Sequence, residues 1–226
     1  MLWNGCPPSS AASNLRTYAH RLRAVLGPRL VSDRICYTLY PEADELDVAR
    51  FQNLADEGRQ ALRDGALDLA VERLGRALSL WRGRPFPDLT TVPHLYGEIA
   101  RLEELHLQLL EDNAEALLAL GRHTEFVPEF RKLLAEHPLR ENLAAQLLIA
   151  LYRSGRRADA LSVYSGTRER LSEELGVDPG SELQRLHQAI LRDEAQMRPG
   201  MTLARRHGSG RRAMVGARVT FRDRNQ

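Results

Sequence analysis

Two glycines 34 residues apart, Gly121 and Gly155, each open a run of the same kind. Gly121-Arg122 is followed by Glu125-Phe126 and Phe130, and Gly155-Arg156 by Asp159-Ala160 and Tyr164. A third run starts at Gly65, with Ala70 and Leu74 at the same offsets. Such a period predicts stacked helical hairpins. Each glycine sits in a tight turn between two antiparallel helices, where a Cβ would be crowded. The residues five and nine positions later pack on the preceding helix. In such an array each hairpin buries its apolar face against its neighbour.

The 34-residue spacing is that of tetratricopeptide-like repeats. Around the glycines, residues 47 to about 196 read as helical. Asp47 caps a helix with Val48, Phe51, Leu54, Ala55, Ala61 and Leu62 inward, and Leu69, Ala70, Leu74, Ala77, Leu78 and Trp81 line the next. The prolines of Arg82 to Pro93 exclude a helix there. A long helix is expected over Tyr96–Leu120, its apolar stripe wide enough to be buried on more than one side. The acid pairs Glu103-Glu104 and Glu111-Asp112 on it read as a solvated face rather than as an acid/base pair. Gly176 reads as a helix C-cap and Pro179 as a spacer. A closing helix from Glu182 to about Ala195 covers the end of the stack with Leu183, Leu186, Ile190 and Leu191.

The N-terminal region is different. Pro7-Pro8-Ser9-Ser10 is a stop followed by two N-cap residues. Ala11–Leu26 then places Leu15, Tyr18, Ala19, Leu22, Val25 and Leu26 on one stripe. The opposite face carries Ser13, Thr17, His20 and Ala24, flanked by Asn14, Arg16 and Arg21. Small polar groups edged by cations suit a major groove, with arginine reaching guanine or phosphate. Gly27-Pro28 ends the helix, and Leu30–Leu39 has the pattern of a short hairpin turning at Ser32-Asp33-Arg34. A hairpin directly after a basic helix is the wing of a winged helix. On this reading Ser13, Thr17, His20 and Arg21 contact bases, and Arg16, Arg23 and Arg34 contact phosphates. Cys36, inside the hairpin, is a small apolar packer.

Charge agrees with that division. Residues 1–41 hold five Arg and one acid, for +4, and residues 197–226 hold eight Arg and one acid, for +7. The 19 cations and 28 acids between them leave −9. A basic end suits nucleic acid. The segment after Met197, rich in Arg and Gly without period, reads as disordered. Three regions are therefore expected: 1–41, the C-terminal part of a winged-helix DNA-binding domain; 42–196, a tetratricopeptide-like domain; and 197–226, a basic disordered tail. The fold class is mainly α, helical hairpin repeats preceded by a recognition helix and a β-hairpin.

No phosphate-binding loop, dinucleotide fingerprint, HExxH or GxSxG occurs, and the histidines lack ligand spacing. An enzyme is not expected, and no catalytic residue, cofactor or metal ligand is assigned. No apolar run approaches the ~18 residues needed to span a bilayer, and the two cysteines are too few for a disulfide scaffold. A reducing cytoplasm is the expected location, with no membrane partner.

The stretches that carry a family likeness are now on the page. Asp47…Phe51…Leu54 through Ala77-Leu78-Ser79-Leu80-Trp81-Arg82-Gly83 resembles the start of the bacterial transcriptional activator domain. Glu174-Leu175-Gly176-Val177-Asp178-Pro179-Gly180-Ser181-Glu182-Leu183 resembles its end. With Pro7-Pro8…Leu15…Tyr18…Arg21-Leu22-Arg23…Leu26, residues 2 to 196 resemble the Streptomyces antibiotic regulatory protein family. The resemblance implies a transcriptional activator of a biosynthetic gene cluster that binds direct repeats in promoter DNA, usually as a homodimer, and recruits RNA polymerase. It makes Ala11–Leu26 the recognition helix and Leu30–Leu39 the wing.

Three departures from the family pattern follow. An N-terminal sheet and two helices precede the recognition helix in the family, whereas Met1-Leu2-Trp3 matches only the end of the second helix. Cys36 stands where a glycine usually precedes the wing tyrosine, and it is strained if that position needs a positive φ. The basic tail matches nothing in the family. The first departure leaves the stripe of Leu15, Tyr18, Leu22 and Leu26 without its partners, so a truncated form with impaired DNA binding is expected. The alternative is a tetratricopeptide-like interaction or dimerisation module that binds no DNA.

Overall fold

The computed structural model describes residues 8–33, 36–42, 45–87, 95–192 and the backbone of 219–222. These divide into two compact units, one running to Arg50 and taking in the strand at 219–222, the other starting at Phe51.

In the first unit, helix α1 (Ala11–Leu26) is followed by a short 3-10 turn, Gly27–Arg29, and by strands β1 (Leu30–Ser32) and β2 (Cys36–Leu39). Gly27 adopts φ 61°, a conformation open to glycine at no steric cost, and its N–H closes on the carbonyl of Arg23. β1 and β2 pair antiparallel, with Leu30 opposite Leu39 and Ser32 opposite Tyr37. The recognition-helix-plus-hairpin architecture expected from the sequence is therefore present. Cys36 lies in the regular part of β2, and Phe86 alone among the described non-glycine residues has a positive φ. The strain suspected at Cys36 does not arise. A third strand, β3 (Val219–Arg222), pairs antiparallel with the other edge of β2. Those four residues are thus in a strand, not in the irregular coil expected of the tail.

The second unit is helical: α2 (Asp47–Arg63, which begins in the first unit), α3 (Leu67–Ser79), α4 (Tyr96–Ala119), α5 (Val127–Glu136), α6 (Glu141–Arg153), α7 (Arg157–Leu175) and α8 (Ser181–Leu191). The glycine punctuation holds. Gly65, Gly121 and Gly155 adopt φ of 73°, 77° and 72° between α2 and α3, α4 and α5, and α6 and α7. The residues at the two repeat offsets, Ala70 and Leu74, Phe126 and Phe130, Ala160 and Tyr164, are all buried. α2 meets α3 where Gly58 faces Leu74, so closely that a Cβ on Gly58 would lie 2.6 Å from Leu74 Cγ. α6 is buried from Leu143 through Leu151 without a break. An unbroken run of that length means burial on every side of the helix. Gly176 caps α7 in the left-handed conformation, its N–H and that of Val177 returning to the last turn.

Four sequence expectations shift. Leu69 and Leu191 are exposed rather than inward. The closing helix stops at Leu191. Ser10 occupies the N-cap of α1 without a side-chain cap bond, and its hydroxyl instead accepts from the Asn14 amide at 3.4 Å. Glu111 and Asp112, read as a solvated face, are each 1% exposed.

Candidate nucleic-acid interface

α1 buries only Ala11 and Ala19, with Leu15 and Leu26 half-buried on the same side. Leu15, Ala19 and Leu26 lie on one edge of the apolar stripe. The other edge, Tyr18, Leu22 and Val25, stays exposed at 56%, 50% and 81%. The stripe read from the sequence is therefore split, half covered and half open.

The face opposite is solvent-exposed and continuous. Ser13, Arg16, Thr17, His20 and Arg21 are all exposed. Thr17 Oγ1 donates to the Ser13 carbonyl at 3.0 Å, which leaves its lone pairs outward as acceptors. The structure thus gathers five of the seven expected contact residues on the outer side of one helix.

Arg23 does something else. Its Nε donates to the Leu30 carbonyl at 3.1 Å and its Nη2 to Ser32 Oγ at 2.5 Å. The guanidinium of this exposed arginine, expected on a phosphate, links α1 to β1 in the structure. Those two bonds set the angle between helix and hairpin, which makes Arg23 a positioning residue. Arg34 lies outside the described residues.

Arg29 is a second tie that sequence reading passed over. Its guanidinium pairs with Glu45, whose carboxylate also accepts from the backbone N–H of Glu42 at 3.0 Å. The backbone bond, then the Arg29 contact, holds the Glu45 carboxyl below its usual range, while the bond to Glu45 raises Arg29. Tyr40 N–H reaches the Arg29 carbonyl at 2.9 Å. The signal available in the sequence was that Glu42 and Glu45 belong to the first group of acids after the basic region, Glu42, Asp44 and Glu45, where the chain leaves the hairpin.

The helical unit carries a buried polar hub on α4. Arg140 Nε donates to Glu111 Oε1 at 3.0 Å, Asn142 Nδ2 to Glu111 Oε2 at 2.9 Å, and Gln146 Nε2 to the Glu111 carbonyl at 2.8 Å. One position on, Arg59 Nε donates to Asp112 Oδ2 at 2.6 Å. Adjacent acids on α4 therefore join it to α6 on one side and α2 on the other. Glu115, one turn later, is pushed up to about 7 by burial and then by the charge of Asp112. Trp81 stacks on His106 with centroids 4.2 Å apart, and burial holds that imidazole down at about 4. Among the described residues no three His, Cys, Asp or Glu gather as metal ligands, and no helix is long and apolar enough to cross a membrane.

Comparison with known proteins bears on both units. The profile of the bacterial transcriptional activator domain matches residues 46–191. The regulatory protein DnrI of Streptomyces peucetius is 42% identical over 84% of this chain and 75% of its own length. The regulatory protein AfsR of Streptomyces griseus is 46% identical over 87% of this chain but only 20% of its own length. The structure of Mycobacterium tuberculosis EmbR in complex with a low affinity phosphopeptide is similar at TM-score 0.74 and 33% identity, covering 85% of this chain and 52% of that one.

Proposed function

The chain belongs to the Streptomyces antibiotic regulatory proteins, which carry the bacterial transcriptional activator domain, and from that premise we propose that it is a DNA-binding regulator of a biosynthetic gene cluster. The observation that carries this reading is the exposed face Ser13–Thr17–His20–Arg21 on a helix that Arg23 pins to a hairpin. α1 enters the major groove of a promoter direct repeat. Arg21 and His20 reach base edges and Arg16 reaches a phosphate, while the hairpin lies along the backbone. The helical unit receives the protein partners, RNA polymerase and a second copy of the chain.

Affinity is limited by the support of α1. Tyr18, Leu22 and Val25 are half or more exposed, and each forgoes part of the roughly 1.5–3 kcal/mol that full burial supplies. The helix alone is 16 residues, near the lower limit of stability in water. Promoter binding by this chain is therefore expected to be weak, at about micromolar Kd or above.

Fluorescence anisotropy with a promoter fragment and a shuffled duplex tests the proposal. The promoter should be preferred, and Arg21→Ala should reduce that preference about 5- to 100-fold, the range of one good base contact. Equal binding of both duplexes by the unaltered chain would overturn it. The second reading, an interaction module without DNA binding, draws on a groove of about 290 Å³ bordered by Arg131, Pro138, Asp159, Thr167 and Arg170. It predicts self-association in light scattering and no preference for any duplex.

A further inference from the structure

Within the helical unit, α5, α6 and α7 leave a groove of about 290 Å³ between them. That is the small end of the range for ligand pockets, room for a few side chains rather than for a large cofactor. One wall is a single face of α7. Asp159, Ser162, Gly166, Thr167 and Arg170 line it, brought together by successive helical turns. The wall runs roughly 16 Å at about 1.5 Å per residue. That is the span of about five residues of extended chain.

Three features of this wall are unexplained by the fold itself. Gly166 stands inside α7, where only proline is less favourable than glycine. A Cβ there would meet nothing within 4 Å, so packing does not require the gap. Thr167 is 3% exposed, and its hydroxyl makes no hydrogen bond among the described residues. Burying a hydroxyl without a partner is costly. Arg170 is exposed and in no ion pair among the described residues, although Glu173 and Glu174 lie one turn on.

Charge decides what kind of partner fits. At the far end of the wall Arg131 Nη2 and Arg156 Nη2 share one oxygen, Asp159 Oδ2, at 3.2 and 2.5 Å. With Arg170, three arginines against one aspartate leave +2, in a region of charge −9. An anionic partner is steered to this face and away from the acidic body around it. A second copy meeting it groove to groove would set +2 against +2.

We propose that this groove docks an acidic segment of a partner protein: about five extended residues with a carboxylate at each end and an apolar side chain between. Arg170 takes one carboxylate in a bidentate fork. Arg131 and Arg156, with a single aspartate between them, take the other. The peptide backbone passes over Gly166, where no side chain holds it off, and Thr167 donates to a peptide carbonyl. The apolar side chain packs on Leu134 and Val163. The inference rests on the reading of the helical unit as the receiver of a protein partner, and not on α1.

The probe is a nine-residue peptide of glycine and serine with two glutamates four positions apart and a leucine midway. It is titrated to about 2 mM, a range that captures weak peptide binding, into the full isotope-labelled chain, and backbone amide shifts are followed by NMR. Shifts should centre on Gly166, Thr167 and Arg170. A peptide with glutamine for both glutamates, and the Arg170→Glu chain, should each bind about 10-fold more weakly or worse, the loss of a charged hydrogen bond. Gly166→Leu should abolish the shifts by filling the groove, with its melting temperature unchanged or raised, since leucine is the better helix former. No shifts, shifts centred elsewhere, equal binding of the glutamine peptide, or equal binding by Gly166→Leu overturns the inference. Self-association that Gly166→Leu removes, without peptide binding, overturns it in favour of a second copy. Sedimentation with purified RNA polymerase keeps the two readings apart. If polymerase binds the unaltered and Gly166→Leu chains alike and the peptide does not bind, the partner reading stands and the groove falls. If the peptide binds as described and polymerase does not, the groove stands and polymerase as the partner falls.

Discussion

Arg140 is the side chain whose loss the helical unit should tolerate least. Its Nε lies 3.0 Å from Glu111, whose side chain is 0% exposed, while Arg140 itself is 24% exposed. Arg140→Met keeps most of the packing volume and removes the guanidinium from a buried carboxylate. Breaking a buried pair from one side costs about 3–5 kcal/mol. The Asn142 bond to Glu111 survives and Arg140 is partly solvated, which places the cost near the low end, about 3 kcal/mol. The bonds from Arg140 to Glu104 add little, since Glu104 is 49% exposed and such pairs contribute under about 1 kcal/mol. For a unit of this size the total corresponds to a fall in Tm of about 6–12 °C. Thermal unfolding of the full chain, followed by circular dichroism at 222 nm and by calorimetry, measures it. Two controls isolate the cause. Glu104→Ala alone should cost under about 1 kcal/mol. Glu111→Gln on the Arg140→Met background should recover about half of the loss, because the neutral amide still accepts from Asn142. A loss below about 1 kcal/mol for Arg140→Met, or a double variant no more stable than the single one, would refute the claim that this ion pair joins α4 to α6.

Other expectations follow from the same core. Glu115 is raised to about 7, so the folded state holds its proton more tightly than the unfolded chain. Stability should therefore be highest below the unfolded value near 4.5 and decline as pH rises through about 7. Glu115→Gln should flatten that slope and raise Tm at pH 8 by several degrees, as pH-dependent calorimetry would record. His106 has the opposite sign: held at about 4, it favours the folded state above 6.5, and that contribution is lost as pH falls toward 4. His106→Phe should remove this acid sensitivity and change Trp81 fluorescence. Gly58→Ala should destabilise by about 1–3 kcal/mol in urea titration despite alanine's better helix propensity, since the new methyl would meet Leu74 Cγ at 2.6 Å. Arg23→Ala should release β1 from α1, seen as faster exchange of the hairpin amides with the helical unit's Tm unchanged.

The sequence by itself determined the punctuation and the period. Gly65, Gly121 and Gly155 permit a left-handed backbone that other residues rarely adopt, and the apolar residues five and nine positions on fall inward by helical geometry. The helix and hairpin at the N-terminus were legible for the same reason, because Gly27-Pro28 and the strand-favouring run at Ile35–Leu39 act through local sterics. Tertiary structure decided which polar residues the core would keep. Glu111 and Asp112 look like surface from their own helix, yet α4 is covered on several sides, and the cations that make their burial tolerable come from Arg140 and Arg59, 29 and 53 residues away. The same holds at the candidate interface. Arg16, Arg21 and Arg23 are all exposed arginines of one helix, and only the placing of β1 beside α1 engages Arg23 in hydrogen bonds to Leu30 and Ser32. Periodicity is a property of neighbours along the chain. The fate of a charge depends on what the rest of the fold places opposite it.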